Sequence, residues 1–98
     1  MPDATWKKAE REIAARLGSH REGPTGAADI LTDEFSVEVK HRKTLPKWLH
    51  QAMEQSEGHT PPGKKALVVL HETGQRYDDC YVVVRLSDFT ELLKGESK

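Results

Sequence analysis

Glu38 and Lys40 place a carboxylate and an ammonium two residues apart, and the alternation of Phe35, Val37 and Val39 predicts a strand over residues 35–40. Side chains alternate across a strand, so Glu38 and Lys40 would leave it on the same face. Asp29 falls on a second predicted strand, residues 28–31, with Thr32-Asp33-Glu34 as the turn between them. Across such a hairpin Asp29 can approach Glu38. Two carboxylates that close repel unless one is protonated or a cation separates them. Oxygen donors of this kind suit magnesium, which can hold a water against a phosphodiester. Exposed strands also carry Glu and Lys for solubility alone, so the triplet needs support from the elements around it.

Glu10 provides some. Residues 5–17 are predicted to form a helix, capped by Asp3 or Thr5 and ended by Gly18. Its apolar stripe is Trp6, Ile13 and Leu17, and Glu10 falls within it at spacings of four, three and four residues. An ionised carboxylate facing a core without partners costs several kcal/mol. An ion pair with Arg21 or a wet stripe edge would satisfy Glu10. A cation shared with Asp29 and Glu38 would do so as well.

The remaining elements follow from punctuation and periodicity. Residues 18–26 are too rich in Gly and Pro for regular structure. Pro46 suits the first turn of a helix running to about Ser56, with Trp48, Leu49, Ala52 and Met53 as its apolar side. Gln51 and Gln55 share another face of it. Residues 66–71 predict a central apolar strand and residues 80–85 another, rich in Val. Ser87 or Asp88 would cap a last helix reaching Leu93, with a frayed tail from Gly95. The predicted order is α-β-β-α-β-β-α, in one domain spanning residues 1–98.

Bulk properties narrow the function. With 98 residues, 36% hydrophobic and 32% charged, the core must be thin, and a partner subunit would help it. A net charge of −1 excludes a globally basic nucleic-acid binder, so attraction to a polyanion must be local. Residues 39–53 contain no acid but hold Lys40, Arg42, Lys43 and Lys47, with His41 and His50 among them. Such a run is either a solvated face or a phosphate-binding one. The single cysteine, Cys80, excludes an internal disulfide and a cysteine-based zinc site, and the five histidines lack metal-ligand spacing. Without a signal peptide or an apolar run of bilayer length, the expectation is a cytoplasmic protein with no membrane partner.

Glu10, Asp29, Glu38-Val39-Lys40 and the Gln-bearing helix together resemble the PD-(D/E)XK nuclease superfamily, and within it the archaeal-type Holliday junction resolvases and their phage relatives. The Glu10-Arg11 pair, Arg21 and the Thr25-Gly26 step fit that pattern in order. Ala28 stands where the family usually has Pro, and Thr25 where Ser is commoner. The resemblance covers roughly residues 5–85 and implies an α/β (α+β) fold with a restriction-endonuclease-like core, a central mixed sheet flanked by helices. It implies catalytic roles for Glu10, Asp29, Glu38, Lys40 and Gln51, or Gln55 in its place. Magnesium, or manganese in its stead, would be held by Glu10, Asp29, Glu38 and the Val39 carbonyl. Arg11, Arg21, Thr25, Arg42, Lys43 and Lys47 would meet DNA. The implied activity is paired, metal-dependent hydrolysis of four-way junctions by a homodimer, in a prokaryotic cell or a phage-infected host. The competing expectations are another nuclease of the superfamily (a phage nickase, or a repair or restriction enzyme), a non-catalytic nucleic-acid-binding module, and a small interaction protein with a merely solvated strand.

Overall fold

The computed structural model describes residues 4–18 and 30–96. They form a small α+β structure whose elements follow one another as α-β-β-α-β-β-α. The chain divides into two compact units, Met1–Lys43 and Thr44–Lys98.

In the first unit, helix α1 spans Ala4–Arg16. Ala, Glu, Lys and Arg dominate it, all strong helix formers. Its end is drawn by Gly18 at φ 76°, the left-handed conformation that glycine adopts without penalty. The expected cap Asp3 lies outside the described residues, and Thr5 is already inside the helix. Strands β1 (Ile30–Leu31) and β2 (Ser36–Val37) pair antiparallel, Ile30 with Val37 and Leu31 with Ser36. Thr32 organises the turn: its N–H donates to the Phe35 carbonyl at 2.9 Å, and its Oγ1 accepts from the N–H groups of Glu34 and Phe35. Among the described residues of this unit, Ile30 and Ala14 are the buried apolar ones. Full burial of an isoleucine contributes about 1.5–3 kcal/mol.

In the second unit, helix α2 spans Lys47–Gly58, strand β3 Val68–Leu70, strand β4 Tyr81–Val83 and helix α3 Leu86–Glu96. Pro46 is the N-cap of α2 rather than a residue of its first turn. Pro62 and Gly63 form the centre of a turn closed by the Lys64 N–H donating to the Pro61 carbonyl. Gly63, at φ 86°, takes the position that type II turns reserve for glycine. Thr73-Gly74 repeats the device, with the Gln75 N–H on the Glu72 carbonyl and Gly74 at φ 86°. One turn of 3-10 helix, Tyr77–Asp79, then leads into β4. β3 and β4 are antiparallel, with Val68, Val69 and Leu70 opposite Val83, Val82 and Tyr81.

α2 packs on β3, and Met53 and Ala66 form the buried centre. The Ser56 hydroxyl donates to the Leu67 carbonyl at 2.9 Å, fastening the helix to the approach of the strand. Arg85 grips Glu57 with two hydrogen bonds, at 2.6 and 3.0 Å. These hold the Glu57 carboxyl below its ordinary range and raise the Arg85 guanidinium. Lys65 is paired with Glu91 and lies 4.0 Å from Asp88, so α3 is tied to the segment before β3.

Several expectations are corrected. The described strands pair as two separate antiparallel hairpins, not as one central mixed sheet. They are two or three residues long, shorter than the four- and six-residue runs expected, because alternation persists where pairing has ended. β3 has β4 as its partner, and Leu67 and Val69 are exposed, so it is not a strand buried on both faces. α3 starts at Leu86, so Ser87 and Asp88 lie inside it, and it continues through Gly95 to Glu96.

Candidate active site

β2 ends at Val37, so Glu38, Val39 and Lys40 follow the strand instead of forming part of it. Their burial still alternates: Val37 and Val39 are half-buried, whereas Ser36, Glu38 and Lys40 are exposed. Glu38 and Lys40 therefore share a side, and Lys40 Nζ stands 3.4 Å from Glu38 Oε2. Both side chains are well exposed, at 58% and 67%, so both heads are open to a ligand.

Glu10 is the reverse. It is 6% exposed, while Trp6, one turn earlier on the same stripe, is 43% exposed. Among the described residues no buried side-chain nitrogen or oxygen lacks a hydrogen-bond partner, so the Glu10 carboxylate is buried but not orphaned. On the outer side of α1, Arg16 binds Glu12 at 2.8 Å and pulls its carboxyl below the ordinary range by that hydrogen bond. The helix thus carries two kinds of acid: Glu12, solvated and paired, and Glu10, facing inward beside Ala14.

Asp29, Arg21 and Thr25 lie outside the described residues. Arg11, Arg42, Lys43 and Lys47 are all exposed, as phosphate contacts must be. The Arg42 guanidinium donates to the neighbouring His41 carbonyl at 3.3 Å. Gln51 and Gln55 belong to the second compact unit and are exposed on α2. Gln55 lines a shallow cleft there with Ser56, His59 and Lys64. The structure thus brings Glu38 and Lys40 together and buries Glu10.

Glu10 and Glu38 supply carboxylate oxygens, the donor chemistry of a hard cation such as magnesium. Among the described residues no group of three or more His, Cys, Asp or Glu side chains could hold a metal ion.

Sequence reading missed a second concave surface. Trp48 was expected on the buried side of α2, yet it is 55% exposed, while Leu49, Ala52 and Met53 turn inward. It belongs to the helix's first turn, at the edge of the apolar stripe. With residues of β3, β4 and the connection between them it lines a cleft. The available signal was the aromatic-rich return of the chain, His71, Tyr77 and Tyr81.

Comparison with family models, curated proteins and solved structures finds no match to this chain. Among the described residues no helix is long and apolar enough to cross a membrane.

Proposed function

We propose that the chain is a metal-dependent endodeoxyribonuclease of the PD-(D/E)XK kind, acting on branched DNA. The observation that carries this is the Glu38–Lys40 pair: carboxylate and ammonium 3.4 Å apart, both open to solvent. The hairpin register adds to it. Ile30 pairs with Val37 and Leu31 with Ser36, so one further rung of the same ladder would be Asp29 against Glu38.

Asp29, Glu38 and the Val39 carbonyl would hold magnesium or manganese, and Glu10 would add a further carboxylate. The cation would supply a water of lowered pKa and positive charge for the phosphate. Lys40 would orient the attacking water and offset charge that builds on the phosphate oxygens. Glu38 has two tasks, since it would also hold Lys40 beside it. Arg42, Lys43 and Lys47 would contact backbone phosphates, so affinity would fall steeply with salt and carry little sequence preference. Cutting paired strands of a four-way junction calls for two sites, hence a twofold homodimer.

The test is cleavage of a synthetic four-way junction beside matched duplex, with magnesium and with chelator. Junction-selective, chelator-sensitive cleavage is expected. It should be lost in Asp29→Asn and Glu38→Gln, which should also weaken calorimetric binding of manganese to the protein alone. Wild-type rates in both variants would refute the site. Equal cleavage of junction and duplex, or a monomer on saturated junction, would reduce the reading to another nuclease of the same kind. DNA binding without metal-dependent cleavage would leave a non-catalytic module.

A further inference from the structure

The cleft beside Trp48 combines features that a merely solvated surface does not need. Its volume is about 570 Å³, within the roughly 300–1,000 Å³ typical of small-molecule sites. Trp48, Leu70, His71, Glu72, Gln75 and Tyr81 line it. Trp48 and Tyr81 are 55% and 71% exposed, so two aromatic side chains are left largely uncovered on one concave surface.

The wall opposite α2 is built, not loose. His71 stacks on Tyr77 with ring centroids 4.8 Å apart. His71 Nε2 lies 2.8 Å from the Gln75 carbonyl oxygen. The Gln75 amide is used at both ends: its Oε1 accepts from the Glu72 N–H at 3.1 Å, and its Nε2 donates to the Asp79 carbonyl at 3.0 Å. Residues 71–79 are therefore cross-braced, and His71 and Glu72 are presented on a rigid turn. Glu72 itself is exposed at this wall, a hydrogen-bond acceptor beside the aromatic faces.

Charge says which planar molecule would be drawn here. Lys47 immediately precedes Trp48 in the first turn of α2 and is exposed, in the same compact unit as the cleft. A basic residue beside exposed aromatics is the combination that binds single-stranded nucleic acid, with backbone held by charge and bases by stacking. We infer that this cleft receives an unpaired nucleobase of the DNA, stacked against both Trp48 and Tyr81, with Glu72 accepting a hydrogen bond from an amino group on the base edge. The inference deepens the proposed function by assigning recognition of unpaired bases to the second compact unit. It rests on that reading only for the polymer being DNA.

The test needs no cleavage. In a Trp6→Phe protein, Trp48 is the remaining tryptophan, and its emission is titrated in chelator with three probes of equal length: a mixed single strand, an abasic strand and a duplex. The single strand should quench Trp48 and bind at least about fivefold more tightly than the abasic strand. Tyr81→Ala in the same background should weaken binding roughly tenfold, and Tyr81→Phe should restore it. For Trp48 itself, Trp48→Ala in the wild-type background should lose the same affinity by anisotropy of a labelled strand while keeping its thermal midpoint. Equal affinity for abasic or duplex probes would overturn the inference, as would wild-type binding by the alanine variants. Emission that changes with protein concentration alone would also overturn it, by assigning the cleft to a second copy of the chain. Base-dependent quenching in a protein that never cleaves would sink the nuclease reading and leave this one standing.

Discussion

The two compact units use their charged side chains differently. In residues 44–98 two ion pairs cross-link elements, Arg85 with Glu57 and Lys65 with Glu91, partners 28 and 26 residues apart, beside one local pair, Arg76 with Asp79. Among the described residues 4–18 and 30–43, two pairs are local: Glu12 with Arg16 along one helix, and Glu38 with Lys40 beyond one strand. A pair that joins distant segments helps hold a fold. An exposed pair two residues apart holds almost nothing, because solvent screens it and the backbone already sets the spacing. The difference separates framework charge from charge available for chemistry, and it places Glu38 and Lys40 in the second class.

The largest effect should come from crossing the two classes. Glu38→Gln should lower metal-dependent cleavage by at least about a hundredfold and leave the thermal midpoint within error. Arg85→Ala should do the reverse, lowering the midpoint while cleavage at low temperature stays near wild type. Loss of both properties in either variant would erase the distinction. Next in size is the packing under the hairpin. Ile30 is fully buried and paired with Val37, the residue immediately before Glu38. Ile30→Ala should cost about 2–4 kcal/mol in urea denaturation and reduce cleavage by loosening the strand that leads into Glu38. Retained stability would mean that the first unit is held elsewhere.

How much of this was readable beforehand depends on the length scale of the cause. Gly18 was legible as punctuation, because a positive φ is a local demand that glycine meets in any context. Glu10 was legible because helical periodicity places residues 6, 10, 13 and 17 on one stripe whatever lies beneath. Trp48 was misread for the same reason: periodicity put it near the stripe but cannot report that the first turn of α2 projects past its cover. The strand lengths were overestimated because alternation in residues 35–40 measures side-chain exposure, whereas a strand requires a hydrogen-bonded neighbour. Glu57–Arg85 and Lys65–Glu91 were invisible, since no pattern within either segment specifies a partner more than 25 residues away.

Glu10 sharpens the comparison because it is charged, in the first unit and buried. If it serves a site and not the fold, Glu10→Leu should lower cleavage at least tenfold while the thermal midpoint holds or rises. Apolar replacement of a buried charge is often neutral or stabilising by about 1–4 kcal/mol. A lower midpoint with unchanged cleavage would instead class Glu10 with the framework acids.

The smallest effect concerns pH, and the framework pairs determine its sign. The Glu57 carboxyl is lowered by its hydrogen bonds from Arg85, and that of Glu91 by its hydrogen bond from Lys65. A carboxyl lowered on folding adds stability above its unfolded pKa, near 4.3, and loses it as pH falls through the lower folded value. Lys65 is raised by Glu91, so its contribution is complete below an unfolded pKa near 10.4 and fades as pH climbs through the higher folded value. The second unit should therefore keep its cross-links across the neutral range and lose them at both extremes. Glu57 and Lys65 are half-buried and Arg85 and Glu91 exposed, so solvent and salt still screen the gain. Glu57→Gln should consequently melt slightly below wild type at pH 7, with the gap closing as pH falls below the ordinary carboxylate range and shrinking in high salt. A gap that persists in acid would mean that Glu57 acts through packing of its side chain and not through its charge on Arg85.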